Sequence, residues 1–189
     1  MQALFGGSFD PVHVGPLVAA ETVGEALDAG VRFLLAREQP LKRTVHAAHG
    51  ASPEQRAEML ELAVAGNPRL SVERIELTLP TPSYTVRTLR ALAQREPGNR
   101  FTLLLGADAA AELGAWFEID ALPRLADVVV FARPGAPLPR HPAITRTVEV
   151  PALDVSATMI RERLRQARSI RYLVPEAVRD YIAARGLYR

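Results

Sequence analysis

Short apolar runs alternate with longer segments of helical period from the beginning of the chain. A strand is expected at about 2–5, a helix at about 15–29 and a second strand at about 31–36. Such a strand-helix-strand unit almost always crosses over in the right-handed sense and makes the two strands parallel. The pattern therefore predicts an α/β fold: a Rossmann-like doubly wound parallel sheet with a small C-terminal helical part.

Later segments continue the alternation of strands and helices. Strands are expected at 70–77, 101–105, 127–131 and 147–150, and helices from Ser52 to Gly66, at 84–95, 119–125 and 157–167, and from Pro175 onward. The first and fourth strands each end in a glycine turn. These two strands are neighbours in a doubly wound sheet, so both turns should face one crevice at the carboxyl ends of the strands.

Length and composition suit one compact domain. We expect a single domain over 1–189, in which 154–189 form a C-terminal helical subregion. The chain has no cysteine, which excludes disulfides and thiolate metal sites, and its four histidines are too scattered for a structural metal site. It also has no apolar run long enough to span a bilayer and no leader-like start, so we expect a cytoplasmic protein.

The charge balance argues against a nucleic-acid partner. The formal net charge is only +2, and Lys42 is the sole lysine among many arginines. Several arginines lie between Arg161 and Arg171, where a solvated helix face is the simplest explanation. We therefore expect no nucleic-acid or membrane partner.

The stretch Leu4–Gly15 is the first candidate for chemistry. Gly6 and Gly7 follow an apolar strand and allow backbone N–H groups to approach an anion, and the positive end of a helix dipole begins near Gly15. His13 adds a ring nitrogen that can donate to a phosphoryl oxygen. The stretch thus predicts a phosphate site, although the glycines could serve turn geometry alone.

A second candidate lies near the C-terminus. Ser156 and Thr158 place two hydroxyls, and Arg161 a guanidinium, within a turn and a half of a helix start. Hydroxyl and backbone donors with a fixed cation suit a polyphosphate. The alternative is an ordinary serine cap followed by a surface arginine.

Both stretches resemble signatures of the nucleotidyltransferase superfamily. The first resembles the pattern G-x-F-D-P-x-H-x-G-H, which is matched by Gly7, Phe9, Asp10, Pro11, His13 and Gly15. Position 16 departs from it, because Pro16 stands where the pattern has its second histidine. The rear stretch resembles I-S-S-T-x-I-R, with Ala157 in place of one serine.

Features between these signatures are similar to the bacterial nicotinate mononucleotide adenylyltransferases, over essentially the full length. They are Ser83-Tyr84-Thr85, Gly106-Ala107-Asp108-Ala109, Trp116 and residues 131–135. The resemblance implies adenylyl transfer from ATP to nicotinate mononucleotide, giving deamido-NAD and pyrophosphate in NAD biosynthesis. It also implies Mg²⁺ bound mainly through the ATP phosphates, no further metal site, and a monomer or homo-oligomer.

The resemblance assigns roles residue by residue. His13 and Lys42 would be catalytic, the latter from loop 37–51 on a partial match to P-P-H-K. The ATP contacts would be Gly6, Gly7, Ser8, Phe9, His13, Gly15, Ser156, Thr158, Ile160 and Arg161. The nicotinate mononucleotide contacts would be Ser83, Tyr84, Thr85, Gly106, Asp108, Trp116 and Arg133.

Several of these roles compete with simpler ones. Trp116 could stack on the pyridine ring or pack in the core. Thr85 could bind the nicotinate carboxylate or act as an N-cap, and Asp108 could bind ribose hydroxyls or cap a short helix. Arg133 and Lys42 could be plain surface cations.

Pro16 shapes the functional expectation. Proline is harmless to folding in a first helical turn but cannot donate a hydrogen bond to phosphate. We expect a normal fold and nucleotide binding with impaired catalysis, unless His46 or His49 substitutes. The alternatives are another adenylyltransferase of the superfamily, such as pantetheine-phosphate adenylyltransferase, or a catalytically silent nucleotide-binding protein.

Overall fold

The fold is built on a single parallel sheet. The computed structural model describes residues 2–40 and 50–189, and within them the sheet has six strands in the order β3-β2-β1-β4-β5-β6, all paired in parallel. The strands are β1 (Gln2–Gly7), β2 (Gly30–Leu35), β3 (Leu70–Glu73), β4 (Phe101–Gly106), β5 (Ala126–Ala132) and β6 (Ile144–Glu149). The doubly wound α/β fold is confirmed.

Helices connect the strands and cover both faces of the sheet. They are α1 (Val14–Leu27), α2 (Pro53–Val64), α3 (Thr85–Arg95), α4 (Ala107–Ala111), α5 (Leu122–Leu125), α6 (Ala157–Arg165) and α7 (Glu176–Arg185). Short 3₁₀ turns lie at Ile75–Leu77, Leu113–Ala115 and Ile119–Ala121. None of the helices seen in residues 2–40 and 50–189 combines the length and apolarity needed to cross a bilayer.

Successive side chains of the central strands β1, β4 and β5 enter two different cores. On β1, Phe5 belongs to the core formed with α1, α2, α6 and α7, whereas Leu4 belongs to the core formed with α3, α4 and α5. This division follows from the period of two along a strand. Both faces of β1 and β4 are therefore covered, which explains the continuous apolar runs seen in the sequence.

The central pair of strands places the site. β1 lies between β2 and β4, with Phe5 opposite Phe33 on one side and Leu104 on the other. The predicted adjacency of the first and fourth strands is confirmed. Gly7 and Gly106, which end these two strands, therefore lie at the same edge of the sheet, where the strand order reverses.

The strand predicted at 70–77 is wrong in its second half. β3 ends at Glu73, and Ile75–Leu77 form a 3₁₀ turn. The Glu73 carboxylate accepts a hydrogen bond from the backbone N–H of Ile75 at 2.8 Å and also pairs with Arg32 and Arg95. The charged side chain thus turns the backbone out of the sheet, which apolar periodicity alone does not reveal.

Candidate functional site: a cleft between two helix-opening turns

A cleft of about 1360 Å³ opens at the carboxyl ends of the central strands. The turn after β1, the turn after β4 and the beginning of α6 all line it. Sixteen of the predicted site residues line this cleft: Gly6, Gly7, Ser8, Phe9, His13, Gly15, Ser83, Tyr84, Thr85, Gly106, Asp108, Trp116, Arg133, Ser156, Thr158 and Arg161. The folded chain thus brings together both candidate phosphate-binding stretches.

The front turn, residues 6–10, depends on close packing around Phe9. A Cβ on Gly7 would lie 2.7 Å from the Phe9 ring, which explains why glycine is needed there, whereas a Cβ on Gly6 would meet open space. Phe9 itself adopts the left-handed region, with φ 47°. Its buried ring packs edge-on against Phe5 and Phe33, with centroids 5.8 and 5.3 Å away. The aromatic side chain therefore anchors the turn, and Phe9 also lines the cleft.

His13 is the N-cap of α1 and presents one donor to the cleft. Its Nδ1 accepts the N–H of Gly15 at 3.2 Å, so the ring proton of the neutral form resides on Nε2. Burial lowers the pKa of His13 from 6.5 to about 4. The imidazole is therefore neutral at physiological pH and donates through Nε2. A Cβ at Gly15 would come within 2.9 Å of this ring.

Pro16 is the third residue of α1 and lines the cleft. The N–H groups in the first turn of a helix have no partner within the helix, so proline costs the helix nothing at this position. The expectation that Pro16 leaves the fold intact is confirmed, because α1 runs unbroken from Val14 to Leu27.

The rear turn at the beginning of α6 exposes its hydroxyls to the cleft. Ser156 is the N-cap, and its Oγ accepts the N–H of Met159 at 3.2 Å. Ser156 and Thr158 are both exposed and line the cleft. Ile160 does not: its side chain is fully buried in the core, and its N–H donates to the Ser156 carbonyl at 3.0 Å. The prediction of Ile160 as an ATP contact is wrong because it faces the helix's packed side.

Arg161 joins the two turns. Only 7% of it is exposed, its Nη1 donates to the carbonyl oxygen of Asp10 at 2.6 Å, and its Nη2 donates to Thr158 Oγ1 at 3.2 Å. The alternative of a plain surface arginine is therefore wrong. The guanidinium holds the front turn against α6 and also lines the cleft; its contact with phosphate stays a prediction.

A second group of candidates forms another wall of the cleft. Ser83 exchanges two hydrogen bonds with Glu38, from its own N–H to the carbonyl at 2.9 Å and from the Glu38 N–H to Ser83 Oγ at 3.2 Å. Tyr84 is the N-cap of α3, so Thr85 is its first helical residue and not the cap. Asp108 lies exposed in the first turn of α4, whose N-cap is Gly106, so the capping alternative for Asp108 is also wrong.

Trp116 packs against the core and also lines the cleft, and its stacking on the pyridine ring stays a prediction. It is half-buried, and the core that it packs against lies beside α3 to α5. Its neighbour Phe117 stacks on Tyr84 with centroids 4.5 Å apart, and the Arg87 guanidinium lies 4.9 and 5.0 Å from the two ring centroids. This stack ties the Trp116 loop to the start of α3.

Three buried polar side chains near the site were missed from the sequence. Arg56 donates to the carbonyls of Ser8 and Ala36 at 2.7 and 2.8 Å, and so fixes the front turn from the side of α2. Glu76 lines the cleft, accepts from Thr88 Oγ1 at 2.8 Å, and has its pKa raised by burial. Tyr188 bonds to Asp10. Only Arg56 left a signal: it falls on the core-facing stripe of α2, three and four residues before Met59 and Leu60.

Some candidates cannot be located in the site. Lys42, His46 and His49 lie outside the described residues, so the catalytic role of Lys42 stays a prediction. In the described ranges, no group of three or more His, Asp or Glu side chains could hold a metal ion.

Sequence comparisons agree with this geometry. The cytidylyltransferase-like family matches residues 4–163. A Thermus thermophilus protein named "Probable nicotinate-nucleotide adenylyltransferase" is 46% identical over 187 residues, covering 98% of both chains. This chain belongs to the nicotinate-nucleotide adenylyltransferase family. A Roseiflexus castenholzii member with the same name is 45% identical, covering 98% of this chain and 96% of its own.

Solved structures share the fold of this family member. Plasmodium falciparum nicotinic acid mononucleotide adenylyltransferase complexed with NaAD superimposes with a TM-score of 0.78 at 16% identity, covering 99% of this chain and 96% of that chain. The same enzyme complexed with APC gives a TM-score of 0.77 at 15% identity. At this identity the likeness concerns the fold alone.

Proposed function

We propose that this chain transfers the adenylyl group of ATP to nicotinate mononucleotide, giving deamido-NAD and pyrophosphate in NAD biosynthesis. The observation that carries the proposal is the joining of the two signature turns, by Arg161 and Asp10, in one cleft. Membership of the nicotinate-nucleotide adenylyltransferase family supports the choice of acceptor.

The reaction needs alignment and charge stabilisation more than proton transfer. A phosphate oxygen of nicotinate mononucleotide is already ionised, so it can attack the α-phosphorus of ATP without a general base. A new P–O bond forms as the bond between the α-phosphorus and the bridging oxygen breaks, and pyrophosphate leaves with that electron pair. The protein must hold the two in line and stabilise charge on the phosphoryl oxygens.

The residues around the front and rear turns supply these functions. His13 donates its Nε2–H to a phosphate oxygen. Because the ring is neutral at physiological pH, it makes this hydrogen bond without a change of protonation state. Ser156 and Thr158, at the positive end of α6, bind the β- and γ-phosphates. Arg161 adds fixed positive charge at the junction of the two turns.

The opposite wall binds the acceptor. The start of α3 at Thr85 favours a negative group, which suits the nicotinate carboxylate. Trp116 stacks on the pyridine ring, the Asp108 carboxylate accepts from ribose hydroxyls, and Arg133 binds phosphate or the polar edge of the product. Each of these side chains lines the cleft.

The donor set also bears on Mg²⁺. Residues 2–40 and 50–189 hold no three-residue cluster of metal-ligating side chains, whereas Asp108 is an exposed carboxylate in the cleft. In this arrangement the ATP phosphates would chiefly hold the cation, and Asp108 would be a carboxylate in the cleft available to assist. When bound, Mg²⁺ would neutralise charge on the phosphates.

Three further expectations stay predictions. They are the cytoplasmic location, the single domain with its 154–189 subregion, and a monomer or homo-oligomer without nucleic-acid partners.

One observation favours a second candidate, a catalytically silent nucleotide-binding protein: Pro16 lines the cleft without a hydrogen to donate. Pyrophosphate release from ATP, measured in parallel with nicotinate mononucleotide, nicotinamide mononucleotide and phosphopantetheine, separates the candidates. We expect release with nicotinate mononucleotide above the other two. Release chiefly with phosphopantetheine would indicate a pantetheine-phosphate adenylyltransferase, and no release despite ATP binding would indicate the silent protein.

A further inference from the structure

The C-terminal end of the chain returns to the front turn. Tyr188, the residue before the last, is 6% exposed, and its hydroxyl donates to Asp10 Oδ1 at 2.6 Å. Asp10 is itself only 7% exposed. This hydrogen bond spans 178 positions of sequence and joins two buried side chains.

Asp10 gathers contacts from three separate parts of the protein. Besides Tyr188, its Oδ1 accepts the N–H of Ala51 at 3.0 Å, next to the N-terminus of α2, and its carbonyl accepts from Arg161 on α6. Burial and the adjacent Asp10 carboxylate raise the pKa of Tyr188 far above its usual range. The phenol therefore stays protonated and remains a hydrogen-bond donor at physiological pH.

The C-terminal region also contacts the backbone just after His13, on the side away from Asp10. The N–H of Val14 donates to the carbonyl of Leu173 at 3.0 Å. Only Pro11 and Val12 separate Asp10 from His13. Both are buried, so the backbone between Asp10 and His13 has little freedom to move. A displacement of Asp10 is therefore passed along the backbone to the imidazole.

We propose that Tyr188 is a positioning residue for adenylyl transfer, which fixes Asp10 and through it the placement of the His13 ring against the phosphate. The inference rests on the proposed function. Tyr188 is not among the residues that line the cleft, so it acts through Asp10 without touching substrate.

Tyr188→Phe removes one hydroxyl and leaves the packed ring in place. Because small misplacements of reacting groups are costly, we expect kcat to fall on the order of ten- to a hundredfold while KM for nicotinate mononucleotide changes less than about twofold. Tyr181→Phe is the matched control: the Tyr181 hydroxyl donates to Glu58 Oε2 at 2.5 Å, between α7 and α2. That variant should keep the kcat of the wild type.

An activity-independent readout separates this inference from the proposed function. The ring nitrogen and proton signals of His13, assigned in nuclear magnetic resonance spectra by their loss in His13→Gln, should shift in Tyr188→Phe and stay in place in Tyr181→Phe. An unmoved His13 signal, or an unchanged kcat in Tyr188→Phe, would overturn the positioning role. A wild type without turnover would refute the proposed function, while the His13 signal would still decide the inference.

Discussion

Arg161 Nη1 donates to the carbonyl oxygen of Asp10 at 2.6 Å, although 151 positions separate the two residues. This contact fastens the turn after β1 to helix α6, one turn from its start. Because each turn carries donors suited to phosphate, the distance between those donor sets is fixed by a buried cation. The contact holds two separate sequence motifs together at one cleft.

Replacing Arg161 tests that junction. Arg161→Met keeps much of the side-chain volume but leaves the Asp10 carbonyl without its charged donor. Loss of such a hydrogen bond costs roughly 1.5–3 kcal/mol, so the free energy of unfolding should fall by about that amount. Affinity for ATP should fall as well, because the hydrogen bonds that hold the two turns together are lost. Urea unfolding and calorimetry measure the two effects.

The matched control is Arg165→Met on the same helix. Arg165 is partly exposed and pairs at 3.4 Å with Glu162, a contact of the kind that contributes little. We expect stability within about 0.5 kcal/mol of the wild type and unchanged ATP affinity. Equal losses in the two variants would contradict a special role for Arg161.

The half-buried imidazole of His13 makes the stability of the protein depend on pH. Its pKa is about 4 when folded against the ordinary 6.5, so between these values the unfolded chain binds the extra proton more readily. This contribution to stability is complete above pH 6.5 and is lost as the pH falls toward 4. The free energy of unfolding of His13→Gln should therefore depend less on pH between 6.5 and 4.5. Identical pH slopes in wild type and variant would show that the ring titrates normally.

Pro16→His restores a donor at the second histidine of the family signature. If that donor is missing from the wild type, turnover should rise on the order of a hundred- to a thousandfold, as expected for a preorganised donor at a developing charge. Steady-state pyrophosphate release measures it. Pro16→Ala is the control, because it changes the backbone without supplying a side-chain donor, and it should show no such gain. Equal and high turnover in wild type and Pro16→His would mean that the donor is dispensable.

Replacing Trp116 should weaken the binding of one substrate only. Trp116→Leu removes a flat ring, and stacking of a base on an aromatic side chain contributes roughly 1–3 kcal/mol. We expect KM for nicotinate mononucleotide to rise about five- to a hundredfold while KM for ATP stays near its original value. Trp116→Phe keeps an aromatic face and should lose much less. Equal increases of both KM values would indicate that Trp116 supports the cleft as a whole.

Local patterns in the sequence predict the parts of this fold that depend on neighbouring residues. Ser52 and Gln55 form the capping box that their spacing indicates, with 3.2 and 2.8 Å hydrogen bonds. Gly106 ends β4 and opens α4 as its position suggests. The apolar runs of β1 and β4 likewise predict their buried, central places in the sheet.

The features that local patterns do not predict depend on contacts between residues that are distant in the sequence. Tyr188 meets Asp10 across 178 positions, and no periodicity near either residue indicates it. Ile160 matches the rear signature, but the packing of α6 turns its side chain into the core. The need for glycine at position 7 arises from the Phe9 ring, which folds back over the strand end because of its positive φ.

The central claim is that the front and rear turns bind the same triphosphate. A crystal structure with a non-hydrolysable ATP analogue measures it most directly. We predict one phosphate oxygen within hydrogen-bond distance of His13 Nε2, and others within that distance of the Ser156 and Thr158 hydroxyls. An analogue bound to only one of these turns, or bound outside the cleft, would contradict the account.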